Sequence, residues 1–192
     1  MKKISILAAL LGALSLTAQA QIKLGVKAGG SLTNFAGKPN GSGYLVGAHG
    51  GLVSNLLLND FLSLQGEALV SMKGDEFKNV TNAPKTRLLY ADVPLLLKVY
   101  ADGLFFEGGP QVGFLLSAKQ GNEGSSTDLN KQFRAVDFGY VAGLGYQWTS
   151  GPNLGLRYNG SILTANDPAY AGPSTGRNQA FQLYAGYIFG GW

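Results

Sequence analysis

The segment YADVPLLLKVY, residues 90–100, alternates between two kinds of position. Its even positions include Asp92, Pro94 and Lys98, whereas the odd positions around them are apolar: Ala91, Val93, Leu95, Leu97 and Val99. Alternation with a period of two places successive side chains on opposite faces of a β-strand. The segment is therefore predicted to be a strand with an apolar medium on one face and polar surroundings on the other.

The amino terminus has the features of an export signal. It reads MKKISILAALLGALSLTAQAQ (1–21), with two lysines, an apolar run and a small-x-small motif that ends at Ala20. The apolar run is shorter than the roughly 20 residues that a membrane-spanning helix requires. We expect residues 1–20 to be a signal peptide cleaved after Ala20, and residues 21–192 to form one domain.

The composition is unusual for a soluble domain. Charged residues make up 14% of the chain, against roughly 25% in ordinary domains, and glycine contributes 29 of the 192 residues. The formal net charge of +4 falls to +2 when Lys2 and Lys3 leave with the signal peptide, which argues against nucleic acid as a partner. The chain has no cysteine, so it contains no disulfide bond.

Strand periodicity recurs along the rest of the chain in eight segments, each about long enough to cross a bilayer as a tilted strand. They are residues 22–32, 44–54, 61–72, 87–99, 104–117, 134–148, 154–163 and 179–189. The connections alternate between long polar loops and short turns, as in barrels with turns on one side of a membrane and loops on the other. The predicted fold is all-β: an eight-stranded antiparallel up-and-down transmembrane β-barrel.

The polar face of these strands is predicted to line the interior. Alternation alone does not separate a membrane barrel from a soluble, lipocalin-like one. Glycine is frequent on this face, however, and it makes room inside a narrow barrel but weakens a water-facing strand. Enclosed charges must pair. The predicted interior charge network contains Lys23, Lys27, Glu67, Asp92, Lys98, Glu107, Asp137 and Arg157.

Two further expectations concern particular residue types. Pro94 cannot donate to a strand ladder, so a bulge or a locally open hydrogen bond is expected beside it. Aromatic residues near the short turns and the carboxyl end are predicted to form a girdle at the membrane interface: Phe61, Tyr100, Phe105, Phe106, Tyr146, Trp148, Tyr187, Phe189 and Trp192.

Three segments carry a family resemblance. LGVKAGGSLTNFAG (24–37), FLSLQGEALVSMKG (61–74) and YADVPLLLKVY resemble the first, third and fourth strands of the small outer-membrane β-barrel proteins common in Bacteroidetes, often labelled porin-family or PorT-like. The resemblance implies an OmpA/OmpX-type barrel in the cell outer membrane. It also implies insertion by the outer-membrane assembly machinery, which recognises an aromatic residue ending the last strand. Phe189 or Trp192 could end that signal.

No catalytic, cofactor or metal site is predicted. His49 is the single histidine, so no zinc cluster of histidine and cysteine can form, and a Ser-His-Asp hydrolase would have to use this residue. We expect a non-enzymatic barrel, plugged by side chains, with a structural, adhesive or binding role through its long loops. The alternatives are a narrow porin for small solutes, an accessory barrel of a secretion assembly, and a secreted carrier. Expected partners are outer-membrane lipid, the assembly machinery and a protein at the loops.

Overall fold

The computed structural model describes residues 22–37, 43–76, 85–122, 125–169 and 176–191. The predicted signal peptide and Trp192 lie outside these ranges. The strands are β1 (Ile22–Ala36), β2 (Leu45–Asn59), β3 (Leu62–Glu76), β4 (Lys85–Ala101), β5 (Leu104–Asn122), β6 (Ser125–Asp128), β7 (Val136–Gln147), β8 (Pro152–Ser161) and β9 (Arg177–Ile188). A short 3-10 helix spans Asn130–Gln132. No helix in the described ranges is long and apolar enough to cross a membrane.

Eight long strands close into an antiparallel barrel. Each of β1 to β5 and β7 to β9 pairs with its neighbours along the chain, and β9 pairs with β1 to close the sheet. The predicted eight-stranded fold is therefore confirmed. The ninth strand, β6, was not predicted; it is a four-residue addition to the end of β5, within the fifth connection.

Several strands extend beyond the predicted segments at the long-loop end. β1 continues past Leu32 to Ala36, and β3 continues past Met72 to Glu76. The hydrophobic alternation fades there, because both faces of an extended hairpin carry polar residues once the strand leaves an apolar medium. Loop residues assigned from polarity alone are thus partly strand. At the other end the turns are tight: Asp102 (φ 50°) and Gly103 (φ 86°) form a two-residue turn with both central residues at positive φ.

The outer wall of the barrel is apolar and the interior is polar. Phe138, Leu156 and Leu183 are 50%, 56% and 61% exposed, whereas Lys98 and Glu107 are buried. Two members of the predicted aromatic girdle are exceptions. Tyr100 and Phe105 point inward and are buried, because they occupy the lumen-facing phase of β4 and β5. The other aromatic residues of that set within the described ranges are exposed.

Pro94 lies in an interruption of the sheet. Pairing between β3 and β4 stops at Gly66↔Leu95 and resumes at Leu69↔Asp92. Pairing between β4 and β5 likewise stops at Pro94↔Gln111 and resumes at Leu97↔Gly108. The register is the same on both sides of each gap, so the ladder opens locally without a bulge. Pro110 lies opposite Leu95 in the β4–β5 gap, whereas Pro94 lies in the β3–β4 gap, so the two prolines occupy adjacent openings on either side of β4.

Candidate functional site in the barrel lumen

Arg157 on β8 is the hub of a charged cluster at the centre of the lumen. Its Nη1 and Nη2 donate to the two carboxylate oxygens of Glu67 on β3, at 2.8 and 2.9 Å. Its Nε donates to Oε1 of Glu107 on β5 at 2.8 Å. The fork geometry of the guanidinium allows it to hold two carboxylates at once. One residue thus joins three strands across the barrel.

Two lysines complete this central cluster. Lys27 on β1 donates to Glu67 at 2.6 Å, and Lys98 on β4 lies 3.7 Å from Glu107 and donates to Gln65 Oε1 at 3.3 Å. The cluster contains three cations and two carboxylates, all buried. Aromatic faces provide further stabilisation of the cations, since the Lys27 amine lies 3.9 Å from the Tyr184 ring centroid and the Lys98 amine 3.7 Å from that of Phe105.

A second polar layer lies nearer the long loops. Lys73 on β3 donates to Asp92 on β4 at 2.9 Å. Asp137 on β7 accepts hydrogen bonds from Ser161 (2.6 Å) and Asn178 (3.2 Å). Lys73 and Asp137 also line a cavity of about 10 Å³, which is roughly the space of a single water molecule. These three charged residues carry one excess negative charge, opposite in sign to the excess of the central cluster.

The predicted network residues fall into four groups. Lys27, Glu67, Lys98, Glu107 and Arg157 form the central cluster, Asp92 pairs with Lys73, and Asp137 binds neutral donors. Lys23 is only half-buried and lies at the turn end, where its amine donates to the Gly191 carbonyl at 2.8 Å. Lys73, the partner of Asp92, was not among the predicted network residues. The hydrophobic alternation of the sequence fades after Met72, but β3 itself continues in the same phase, so position 73 faces the lumen.

Glycines provide the space that these side chains occupy. A Cβ added at Gly143 would lie 3.0 Å from Glu107 Oε1, and one at Gly113 would lie 2.6 Å from Asp92 Oδ1. A Cβ at Gly155 would meet the ring of Tyr184, whose hydroxyl donates to Glu107 at 3.0 Å. The glycine-rich lumen face is thus a packing requirement, because an eight-stranded barrel is only just wide enough for its interior side chains.

Clusters of buried apolar and aromatic side chains lie on both sides of the central cluster. Tyr100, Phe105 and Tyr184 pack together between the central cluster and the short turns. At the loop end, residues 129–135 and 162–169 pack against lumen-facing strand residues, and we call these two segments the lid. The lid contributes Leu129, Phe133 and Ala165 to a buried cluster with strand residues Phe35, Leu88, Tyr90 and Ala118.

Backbone hydrogen bonds fix the lid. Leu129 N donates to Ala118 O on β5, and the two lid segments are joined by Arg134 N to Ala165 O and by Asp167 N to Gln132 O, each at 2.9 Å. Because backbone pairing and apolar burial coincide here, the lid is an ordered part of the barrel.

His49, the single histidine of the chain, is buried in the lumen. Ser71 lies directly opposite it on β3, a neighbour that the sequence analysis did not assign. In the described part of the chain, however, neither the Ser71 hydroxyl nor either ring nitrogen of His49 has a hydrogen-bond partner, so the serine and the histidine are not engaged as nucleophile and base. No group of three or more histidine, cysteine, aspartate or glutamate residues among the described positions could hold a metal ion.

Residues 17–163 match the family described as "Outer membrane protein beta-barrel domain", which is most of the chain. The chain belongs to this family. An outer-membrane barrel places its apolar wall against lipid, so the exposed leucine, valine and phenylalanine side chains described above are in contact with the bilayer. The predicted location in the cell outer membrane is confirmed, as is membership of a family of small outer-membrane β-barrels.

Solved outer-membrane barrels have a similar fold. Neisserial surface protein A is 13% identical with a TM-score of 0.57, and the match covers 88% of this chain and 99% of that chain. Ail, the attachment invasion locus protein of Yersinia pestis, solved with the heparin analogue sucrose octasulfate, is 16% identical with a TM-score of 0.49 over 88% of this chain and 99% of that chain. The search of curated proteins gave no match.

Proposed function

We propose that this outer-membrane barrel is a closed, non-enzymatic anchor whose long loops carry a binding or adhesive surface. The observation that carries the proposal is the bridge made by Arg157 to both Glu67 and Glu107, which links β8 to β3 and β5 through the middle of the lumen. A solute passing through would have to displace buried, paired charges. Removing one partner of a buried ion pair lowers the stability of a protein by about 3–5 kcal/mol, which indicates the size of the barrier to such a displacement.

The ends of the lumen support the same function. The lid and the aromatic residues Tyr100, Phe105 and Tyr184 fill the two mouths on either side of the charged centre. A continuous wet path would have to cross all of these layers. The lid also connects β5 to the segment before β9 by backbone hydrogen bonds, so it offers a firm base from which loop residues can contact a partner outside the cell.

Conductance in planar bilayers tests the closed barrel. Purified, refolded protein should give a flat current trace over a range of voltages. The matched variant Arg157→Ala removes the bridge and should raise the current noise or give brief openings, because a side chain that crosses the lumen is lost. Stable unitary steps from the wild-type protein would contradict the closed barrel and favour the second candidate, a narrow porin for small solutes.

An accessory role in a secretion assembly is the other candidate, and the resemblance of residues 24–37, 61–74 and 90–100 to PorT-like barrels of Bacteroidetes supports it. A barrel of this type would be held by stable partners. Extraction in mild detergent should then yield a stoichiometric complex, whereas a monodisperse single protein on a sizing column would argue for an independent anchor.

The assembly machinery is a proposed partner through the last strand. Phe189 follows β9 directly; its amide donates to Leu24 O at 2.8 Å, and its ring lies 5.6 Å from that of Tyr187. Phe189→Ala should lower the amount of protein in the outer membrane if Phe189 ends the signal, and Trp192→Ala should do so if Trp192 ends it. Wild-type levels in both variants and in their combination would contradict an aromatic assembly signal in this chain.

A further inference from the structure

Arg87 on β4 and Lys119 on β5 form an unusual pair on the outer wall. The two residues are directly opposite each other in the β4–β5 ladder, and both are exposed. Directly opposed side chains on neighbouring antiparallel strands have Cβ atoms about 5 Å apart, so like charges at such positions destabilise the sheet. Within the described ranges neither residue forms an ion pair with an acidic side chain.

A β-bulge is responsible for this arrangement. Leu89 lies opposite Ser117 while Tyr90 lies opposite Leu115, so Leu116 is an extra residue on β5. Before the bulge the even residues of β5 point outward, as the 46% and 53% exposure of Phe114 and Leu116 shows. Beyond it the phase is reversed: Ala118 is buried and Lys119 is exposed. Without the bulge, Lys119 would point into the lumen.

The pair lies at the edge of the lipid-facing wall. The outward residues on β4 are apolar from Val99 to Leu89. At roughly 3.3 Å per residue and a strand tilt near 40°, these ten residue steps cover about 25 Å along the barrel axis. This length equals the height of the apolar band in outer-membrane barrels. Arg87 is the next outward residue. Because long loops face the cell exterior in these proteins, this edge is at the head groups of the outer leaflet.

A groove of about 330 Å³ opens beside the pair. Met72, Leu89 and Ser117 line its membrane side, and Lys85, Arg87 and Lys119 line its outer side. The apolar part adjoins the lipid-facing stripe, and the basic part lies at head-group level. This combination fits an amphiphile with an anionic head better than it fits a soluble ion.

The surrounding charges leave the groove positive. Lys85 is paired with Glu76 at 3.2 Å. Asp128 lies opposite Lys119 on β6, but its carboxylate accepts hydrogen bonds from the amide nitrogen (2.8 Å) and side chain (3.2 Å) of Asn130. Two cations of the groove, Arg87 and Lys119, therefore keep their hydrogen-bond donors for a ligand.

We propose that Arg87 and Lys119 bind the phosphate of a phosphorylated glycolipid in the outer leaflet, whose acyl chain packs against Met72 and Leu89. A phosphate between the two cations removes their mutual repulsion, and the guanidinium fork matches its oxygens. The site is a lipid contact of the barrel wall and is independent of whether the lumen is closed.

Native mass spectrometry of the folded full chain tests this site, with phosphorylated lipid A as the probe. The double variant Arg87→Gln, Lys119→Gln should bind lipid A at least about tenfold more weakly, since each Lys or Arg near an anionic lipid surface contributes roughly a factor of five. The control Arg177→Gln removes an exposed arginine at the loop end of β9 that does not line the groove, so its lipid A affinity should fall by no more than the roughly fivefold effect of one surface charge. Heat-modifiable migration on a denaturing gel verifies that each variant is folded.

A second arm uses only the wild-type chain. Lipid A without phosphate should bind about as weakly as phosphorylated lipid A binds to the double variant, and inorganic phosphate at equal concentration should not displace the lipid. Equal binding of the two lipids would mean that the groove holds acyl chains alone and would overturn the phosphate assignment. The proposal would also be overturned if inorganic phosphate displaced the lipid or if the double variant bound lipid A with unchanged affinity. It would be overturned as well if the wild-type chain formed a dimer that the double variant could not form, because the pair would then belong to a protein interface.

Discussion

The interior of the barrel depends most on Arg157, because this residue neutralises two carboxylates that have no access to water. Arg157→Met keeps much of the side-chain volume but leaves Glu67 and Glu107 without the guanidinium. Removing one partner from a buried ionic group typically destabilises a protein by about 3–5 kcal/mol. We expect a loss of that size in the free energy of unfolding, measured by urea titration of protein folded in lipid vesicles.

Arg177→Ala is the control for that experiment, because Arg177 is exposed at the start of β9. Surface substitutions of this kind usually change stability by less than about 0.5 kcal/mol. A loss for Arg157→Met no larger than that of the control would mean that the central cluster does not stabilise the barrel.

The space left by glycine is a second property at the residue scale. Gly155→Ala would place a methyl group against the Tyr184 ring and displace the hydroxyl that donates to Glu107, so we expect a loss of about 1–3 kcal/mol, as for overpacked cores. Gly66→Ala is the matched control, because no atom lies within 4 Å of its added Cβ. Equal stability of the two variants in the same urea titration would contradict the packing role of Gly155.

At the scale of elements, sequence periodicity identified all eight long strands but not their ends or their meeting points. Alternation determines which face a side chain occupies, and it correctly separated Leu95 and Leu97 from Lys98. Alternation does not determine how high a residue lies along the barrel axis, because this position depends on strand tilt and stagger. Because β3 was predicted to end at Met72, Lys73 was left out of the predicted network. The bulge at Leu116 was missed because it reverses the phase of β5 near the end of the predicted strand.

The lid is the element whose contribution can be isolated most cleanly. Phe133 is 4% exposed and its ring lies 6.3 Å from that of Phe35, so Phe133→Ala should loosen residues 129–135 without unfolding the strands. Limited proteolysis should cleave this segment faster than in the wild type, while heat-modifiable migration is retained. Lys131→Ala, an exposed change in the same segment, should leave the cleavage rate unchanged. Equal cleavage rates in both variants would contradict an ordered lid anchored by Phe133.

On the scale of the whole molecule, the composition of the chain reflects the two environments of its side chains, the lipid outside and the narrow lumen inside. Lipid on the outside accepts leucine, valine and phenylalanine, and the narrow lumen requires glycine beside a few large polar residues. The sequence therefore predicted the barrel and its location well. It predicted the contacts within the lumen less directly, because a pair such as Arg157 and Glu67, 90 positions apart in the chain, comes together only when the sheet closes.

Cysteine labelling along β4 is the most direct test of a barrel with a lipid-facing wall and a sealed lumen, since the chain contains no native cysteine. Leu95→Cys and Leu97→Cys place thiols on the exposed wall, Leu96→Cys places one in the buried lumen, and Thr149→Cys is a water-exposed control in a turn. In folded protein in vesicles, a lipid-soluble maleimide should label positions 95 and 97, a charged maleimide should label position 149, and neither should label position 96. Labelling of position 96 by the charged reagent would show a water-filled lumen and contradict the sealed barrel.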